Sequence, residues 1–319
     1  MRLDAPESPA EIYLKLENLQ PIGSFKIRGA ANAIRQARPD ELQAGVVTAS
    51  AGNMAQGVAW AAREAGVPAT IVVPDHAPAT KLAAIARLGG RVIKVPFEKW
   101  WETIEQGRFE GADGLFVHPV QNELVMAGNG TIGLELVDDL DQFDTVLIPW
   151  GGGGLTVGIA SAVKALRPEV RIVPVEPETG APLAASLAAG APQGVEYQPS
   201  FVDGSGSRAI LPRMWEASRG LLDGSEVATL DETAGAVRLL AERARVVAEG
   251  AGALAAAGVD GGGDDSLQAP ATIAATVNIF APAAPRRAPA VLCGARVAQP
   301  ECRVEGANSE KCRATGIDQ

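Results

Sequence analysis

Four short stretches of the chain carry residue types that could do chemistry together. Lys26 lies in Gly23-Ser24-Phe25-Lys26-Ile27-Arg28-Gly29-Ala30, where a turn gives way to an alanine-rich segment. An ammonium at the first turn of a helix meets the positive end of the helix dipole, and Phe25 beside it adds an apolar wall. Both effects lower the lysine pKa towards that of a nucleophilic amine. In Thr48-Ala49-Ser50-Ala51-Gly52-Asn53-Met54, small residues let the backbone approach a ligand. The first N–H groups of the helix that follows can receive a carboxylate, and the Asn53 amide can donate to a ring oxygen. Gly151, Gly152, Gly153 and Gly154 form a loop whose amides can turn inward on a phosphate monoester. Glu249-Gly250-Ala251-Gly252-Ala253 is a further segment suited to close backbone approach.

These stretches need elements to hold them, and the surrounding pattern supplies a βαβ rhythm. Strands are expected at 46–48, 69–73, 91–95, 115–117, 145–148 and 171–175. Helices are expected from Ala55 to Ala65, Thr80 to Leu88, Asn122 to Leu140 and Leu155 to Leu166. Thr145-Val146-Leu147-Ile148 is a continuous apolar run, as in a parallel strand buried on both faces. Such alternation predicts an α/β protein with mostly parallel sheets flanked by helices. Beyond Ala181 the pattern loosens. Residues 190–207 read as a long Pro/Gly/Ser-rich loop that caps a site, and helical periodicity returns over Asp231–Val247. Strand-like runs recur at 271–280 and 290–293, before a polar tail with little structural signal.

Composition bounds the function. At 319 residues, with 47% hydrophobic and 21% charged residues, the chain suits a soluble globular protein with a substantial core. A net charge of −10 and the lack of any Lys/Arg run argue against nucleic acid or an anionic membrane as partner. There is no apolar run long enough to span a bilayer and no basic-then-apolar leader, so a cytoplasmic location is expected. The three cysteines, Cys293, Cys302 and Cys312, match neither a zinc motif nor a disulfide framework. His76 and His118 read as structural or surface residues. Asp203 reads as a solvated loop aspartate more readily than as a cation ligand, which leaves metal binding unknown. The glycine loop lacks the Lys-Ser/Thr of a nucleotide triphosphate site. Glu176 lies near the offset of the acidic residue in a dinucleotide fingerprint, which keeps a dinucleotide-dependent oxidoreductase open.

A nucleophilic lysine, an asparagine turn and a phosphate-binding glycine loop together describe a pyridoxal phosphate site. In order and spacing, Ser24 to Ala30, Ser50 to Asn53, Gly151 to Leu155 and Glu249 to Gly252 resemble the serine/threonine dehydratase family of fold-type II pyridoxal phosphate enzymes, over roughly residues 11–258. The resemblance implies two open, twisted, mostly parallel sheets flanked by helices. Residues 1–44 with 127–319 would form a large cofactor-binding domain and 45–126 a small one. It implies that Lys26 forms the internal aldimine, that Phe25 packs beside the ring and that Asn53 bonds its 3-hydroxyl. Gly151, Gly152, Gly153 and Gly154 with Leu155 would hold the phosphate, and Ser50, Ala51, Gly52 and Asn53 the substrate carboxylate. Cys293 stands at the position that faces the pyridine nitrogen, although the run Cys293-Gly294-Ala295-Arg296 departs from the family's Cys/Ser-Gly-Gly-Asn.

By the same resemblance the activity is dehydration and deamination of L-threonine, L-serine or a related β-hydroxy amino acid to a 2-oxo acid and ammonia, in a homodimer. Lys26 would act as the base, with the cofactor phosphate as the acid for the departing hydroxyl, since neither histidine nor any carboxylate in the motifs offers an obvious alternative. Related racemases carry a serine where Ala51 stands, and alanine cannot transfer a proton. Met54 replaces a histidine common among relatives and adds polarizable apolar surface, which widens the side chains expected to be accepted. No regulatory region is expected after the core. An altered C-terminal region leaves a cofactor-binding protein of impaired catalysis as a further alternative.

Overall fold

Short buried strands alternate with longer helices along most of the chain, and a computed structural model describes residues 1–4, 10–260 and 272–277. In chain order the elements begin with β1 (Arg2–Leu3), β2 (Glu11–Leu16), α1 (Lys26–Gln36), β3 (Val46–Ala49), α2 (Asn53–Glu64), β4 (Ala69–Pro74) and α3 (Ala79–Arg87). They continue with β5 (Arg91–Val95), α4 (Phe97–Gln106), β6 (Leu115–Phe116), α5 (Glu123–Asp139), β7 (Thr145–Pro149), α6 (Gly154–Leu166) and β8 (Arg171–Pro177). The last are α7 (Pro182–Ala189), α8 (Pro212–Ser218), β9 (Glu226–Ala228), α9 (Leu230–Leu239), α10 (Gly250–Asp260) and β10 (Thr272–Val277).

The strands form two sheets, ordered β1-β2-β10-β7-β8-β9 and β5-β4-β3-β6. Among the strands described, every ladder is parallel except the short β1–β2 pair, as the βαβ rhythm requires. Strand β7 shows why its sequence is apolar throughout. Val146 and Ile148 pack with Ile132, Ile159 and Ile172 on one face, while Leu147 packs with Val173, Val175 and the small apolar helix α10 on the other. The second sheet is covered by α1 and α2 on one side, and by α4 with Trp100 and Phe109 on the other.

Helices α5 and α6 cross closely because glycines meet at the contact. A Cβ on Gly130 would lie 2.9 Å from the Gly158 carbonyl oxygen, so a larger residue would push α6, and the loop before it, away from α5. The α5 start matches expectation, with Asn122 accepting from the Val125 N–H at 3.0 Å as N-cap.

The sequence pattern does not show β1, α4, α7, α8, β9 or α10, and it suggests one helix over 231–247 where the chain does otherwise. There α9 ends at Leu239, a π-turn runs over Leu240–Ala244, and Arg245 adopts a left-handed φ of 57°. The break turns the backbone so that Val246 and Ala248 enter the core and Glu249 arrives at the start of α10. The strand expected at 290–293 lies outside the described residues.

Candidate active site

Both sheets deliver their chemistry from the C-terminal ends of parallel strands. Strand β3 runs into Ser50-Ala51-Gly52 and then α2, whose first residue is Asn53. The Ser50 hydroxyl accepts the Gly52 N–H at 3.2 Å, which holds the turn, and no side chain caps α2. Strand β7 runs through Trp150 into the four glycines and α6, which also lacks a side-chain cap. Helix α1 starts on Lys26 itself, after the buried run Ile22 to Phe25.

These three helix starts border one cavity of about 540 Å³. Phe25, Lys26, Ser50, Ala51, Gly52, Asn53, Gly151, Gly152, Gly153, Gly154 and Leu155 all line it, so each of those sequence-derived site residues is brought to the same place. Cys293 lies outside the described residues.

The glycine loop is tight for a steric reason. A Cβ on Gly152 would stand 2.6 Å from the Val120 side chain, one on Gly153 2.7 Å from the Trp150 ring, and one on Gly154 2.8 Å from the Val120 carbonyl. Gly153 also has φ +88°, the left-handed region that glycine enters without strain. Val120 is held there by His118, whose Nδ1 accepts the Val120 and Gln121 N–H groups at 3.0 Å each. Burial lowers the His118 pKa and keeps Nδ1 an acceptor, so this histidine is structural, as expected.

Lys26 is partly accessible, but what it faces is the walled cavity. Desolvation lowers its pKa from 10.5 to about 8. The charge of Glu249 opposes that fall, and so does the face of the Phe25 ring, 4.9 Å from Nζ. Burial outweighs both. The lowered pKa agrees with the sequence reading, and of its two causes the apolar surroundings, not the helix dipole, are the larger effect here.

Glu249 is the residue that motif reasoning passed over. The sequence marks its segment through the glycines that follow, and the structure places the Glu249 carboxylate in the cavity with Lys26. Asn53 Nδ2 donates to Glu249 Oε1 at 3.2 Å and to Oε2 at 3.4 Å. Burial raises the Glu249 pKa to about 7, against the lowering effect of Asn53, Lys81 and Lys26. The signal that could have found it is its place at a helix start: the Ala253 N–H donates to its carbonyl at 2.9 Å, which makes Glu249 the N-cap of α10.

The remaining wall comes from α3, α4 and the loop before α8. Lys81 reaches Asp203 at 2.8 Å, and Asp203 remains exposed on its loop, as expected of a solvated loop aspartate. Among the described residues no group of His, Cys, Asp and Glu could hold a metal ion. Met54, Val120, Phe97 and Trp100 are part of the cavity's apolar lining. Glu176, the acidic residue on which a dinucleotide reading leaned, accepts the Leu183 and Ala184 N–H groups at 3.0 and 2.8 Å and is fully buried away from the cavity. Among the described residues no helix is long and apolar enough to cross a membrane.

Comparison with known proteins follows the same line. Residues 2–278 match the family model described as pyridoxal-phosphate dependent enzyme. The L-threonine ammonia-lyase of Thermotoga maritima is 43% identical over 251 residues, which is 78% of this chain but 62% of the relative's length. The chain thus spans less than two thirds of that relative. Among solved structures, the processed form of threonine deaminase isoform 2 from Solanum lycopersicum aligns with a TM-score of 0.78 and 32% identity, covering 86% of this chain and 80% of that one. Serine racemase from Dictyostelium discoideum aligns at 0.76 and 31%, covering 85% and 87%. With the lysine, the asparagine turn and the glycine loop gathered at one cavity on two parallel sheets, the chain belongs to the pyridoxal-phosphate dependent enzyme family of fold type II.

Proposed function

We propose that this protein is an ammonia-lyase that dehydrates and deaminates L-threonine, L-serine or a related β-hydroxy amino acid to a 2-oxo acid and ammonia. The observation that carries the reading is Lys26, with its pKa lowered to about 8, in one cavity with a glycine loop packed too closely at Gly152, Gly153 and Gly154 for any Cβ.

The residues present fit pyridoxal phosphate. Lys26 offers an amine for its aldehyde, and Asn53 has a buried carbonyl oxygen with no partner, as a residue awaiting a polar ligand would. The loop Gly151 to Gly154 with Leu155 would hold the phosphate, and Phe25 would pack beside the ring. When bound, the cofactor supplies the electron sink that makes the α-proton acidic and the β-hydroxyl a leaving group. Lys26 Nζ, whose neutral fraction at physiological pH is far above that of an ordinary lysine, takes that proton as general base. The helix start at Ser50 to Asn53 orients the substrate carboxylate. Ala51 presents only a methyl group, so no proton returns on its side and elimination is favoured over racemisation. The apolar lining contributed by Met54, Phe97 and Trp100 favours side chains larger than that of serine.

The direct test is incubation of the purified protein with pyridoxal phosphate and each β-hydroxy amino acid, following ammonia and 2-oxo acid. A yellow protein that releases both from L-threonine or L-serine is expected; a protein that takes up no cofactor overturns the reading. Gly153→Ala should weaken cofactor binding about thirtyfold in equilibrium titration, from at least about 2 kcal/mol of left-handed strain and collision with the Trp150 ring. The same reading carries Cys293 at the ring nitrogen, a cytoplasmic location and a homodimer, the last checked by sedimentation. It also carries a division into domains 1–44 with 127–319 and 45–126, a boundary that falls within α5.

A further inference from the structure

The Asn53 amide has two ends, and protein groups satisfy one of them. Nδ2 donates to both oxygens of Glu249, at 3.2 and 3.4 Å, while Oδ1 is buried with no hydrogen-bond partner. In this orientation the amide offers the cavity an acceptor and keeps its donor for Glu249. An ionised ring oxygen needs the opposite, since it can only accept. The two ends of an amide are nearly the same size, so a half-turn about the Cβ–Cγ bond exchanges them within the same space. After the turn Oδ1 faces Glu249, and two acceptors face each other unless Glu249 holds a proton.

We propose that Glu249 is a positioning residue for Asn53: in its protonated form it donates to Asn53 Oδ1, turning the amide so that Nδ2 faces the cofactor. The inference rests on the reading of the cavity as a pyridoxal phosphate site. It needs Glu249 to gain and lose a proton near neutrality, and its surroundings permit that. Lys26 from α1, Lys81 from α3 and Asn53 from α2 favour its charge, as does its own place at the start of α10. Asp203 from the loop before α8 disfavours it, and the Lys81–Asp203 ion pair at 2.8 Å largely offsets that pair's influence. Burial is the largest effect and raises the pKa to about 7. Cofactor binding through Asn53 Nδ2 then favours the protonated form. Affinity is therefore greatest below about pH 7 and falls as the pH rises above it.

Lys26 and the cofactor titrate in the same range, so the measurement is a ratio. Glu249→Gln can place a permanent N–H opposite Asn53 Oδ1, so the turned amide has a donor at every pH. The dissociation constant of pyridoxal phosphate is measured by equilibrium titration of the cofactor-stripped full chain, for wild type and variant, at about pH 6 and about pH 8.5. The wild-type to Glu249→Gln ratio should rise about tenfold between them, the worth of one hydrogen bond to a charged group. Glu249→Ala removes the competing acceptor and should show the same gain over wild type at high pH, so the result does not hang on one variant. In an Asn53→Ala background the ratio should stay flat. A ratio independent of pH overturns the inference, and so does one that changes equally without the Asn53 amide, because Glu249 would then act on the cofactor by its charge alone. A wild-type protein that binds no cofactor overturns the underlying reading and this inference with it.

Discussion

Replacing Lys26 with alanine is expected to lower ammonia release from L-threonine by at least about 10³-fold, the scale of a lost base that is also the covalent anchor. The fold should survive the change. Lys26 is the first residue of α1, no regular element depends on its side chain, and alanine is the strongest helix former. Desolvation, the cause that makes the amine useful, is also a cost to the folded state. Its folded pKa of about 8 lies below the unfolded value of 10.5, so the unfolded chain binds the extra proton between those values. Stability of the cofactor-free protein should therefore decline as the pH falls from about 10.5 to about 8 and then level off, and Lys26→Ala should lack that decline. Urea unfolding across that range checks it. A Lys26→Ala protein that releases ammonia at an undiminished rate would remove the base from the proposed chemistry.

The largest effect on stability should come from Arg28, in the first turn of the same helix. Its Nε and Nη2 donate to Glu17 at 2.8 Å each, and its Nη1 and Nη2 donate to Glu135 at 2.6 and 2.7 Å, with Thr131 Oγ1 at 2.9 Å. Glu17 is 1% exposed, so Arg28→Ala strands a buried carboxylate and should cost about 3–5 kcal/mol in urea unfolding. Arg28→Lys should recover little, because an ammonium cannot serve both carboxylates with paired donors. The network also has an acid signature. Arg28 holds the Glu135 carboxyl at about 2, below its ordinary 4.5, so the stabilisation is complete above about 4.5 and lost as the pH falls through about 2. Wild type should lose stability over that window, and Arg28→Ala should lose less. Equal acid sensitivity in the two proteins would show that the network is not what resists protonation.

Much of this site was legible in the sequence because its parts are local. A lysine after a glycine turn, an asparagine opening a helix and four glycines after an apolar strand each announce themselves within a few residues. The strands bearing them are short and uniformly apolar, as buried parallel strands are. What stayed hidden was decided at long range. The Glu249 carboxylate matters through Asn53, 196 positions away, and nothing in its own neighbourhood marks it apart from a helix start. The π-turn at Leu240–Ala244 keeps a helical period while changing direction, so periodicity ran on through it. Helices α7 and α8, eight and seven residues long, were too short to display a period above the Pro- and Gly-rich background.

The place of β10 has a consequence for how the chain is made. Strands β3 to β6 come from one continuous stretch, 46–116, and can pair while later residues are still being synthesised. The other sheet cannot. Its central strand is β10, seated between β2 and β7, with Ile273 opposite both Ile12 and Thr145. Until residue 277 has left the ribosome, β2 and β7 each present an open hydrogen-bonding edge with nothing between them. The sheet that carries the glycine loop is thus completed last, from contacts of high sequence separation, and a nascent chain stalled before β10 would expose two unpaired strands at once.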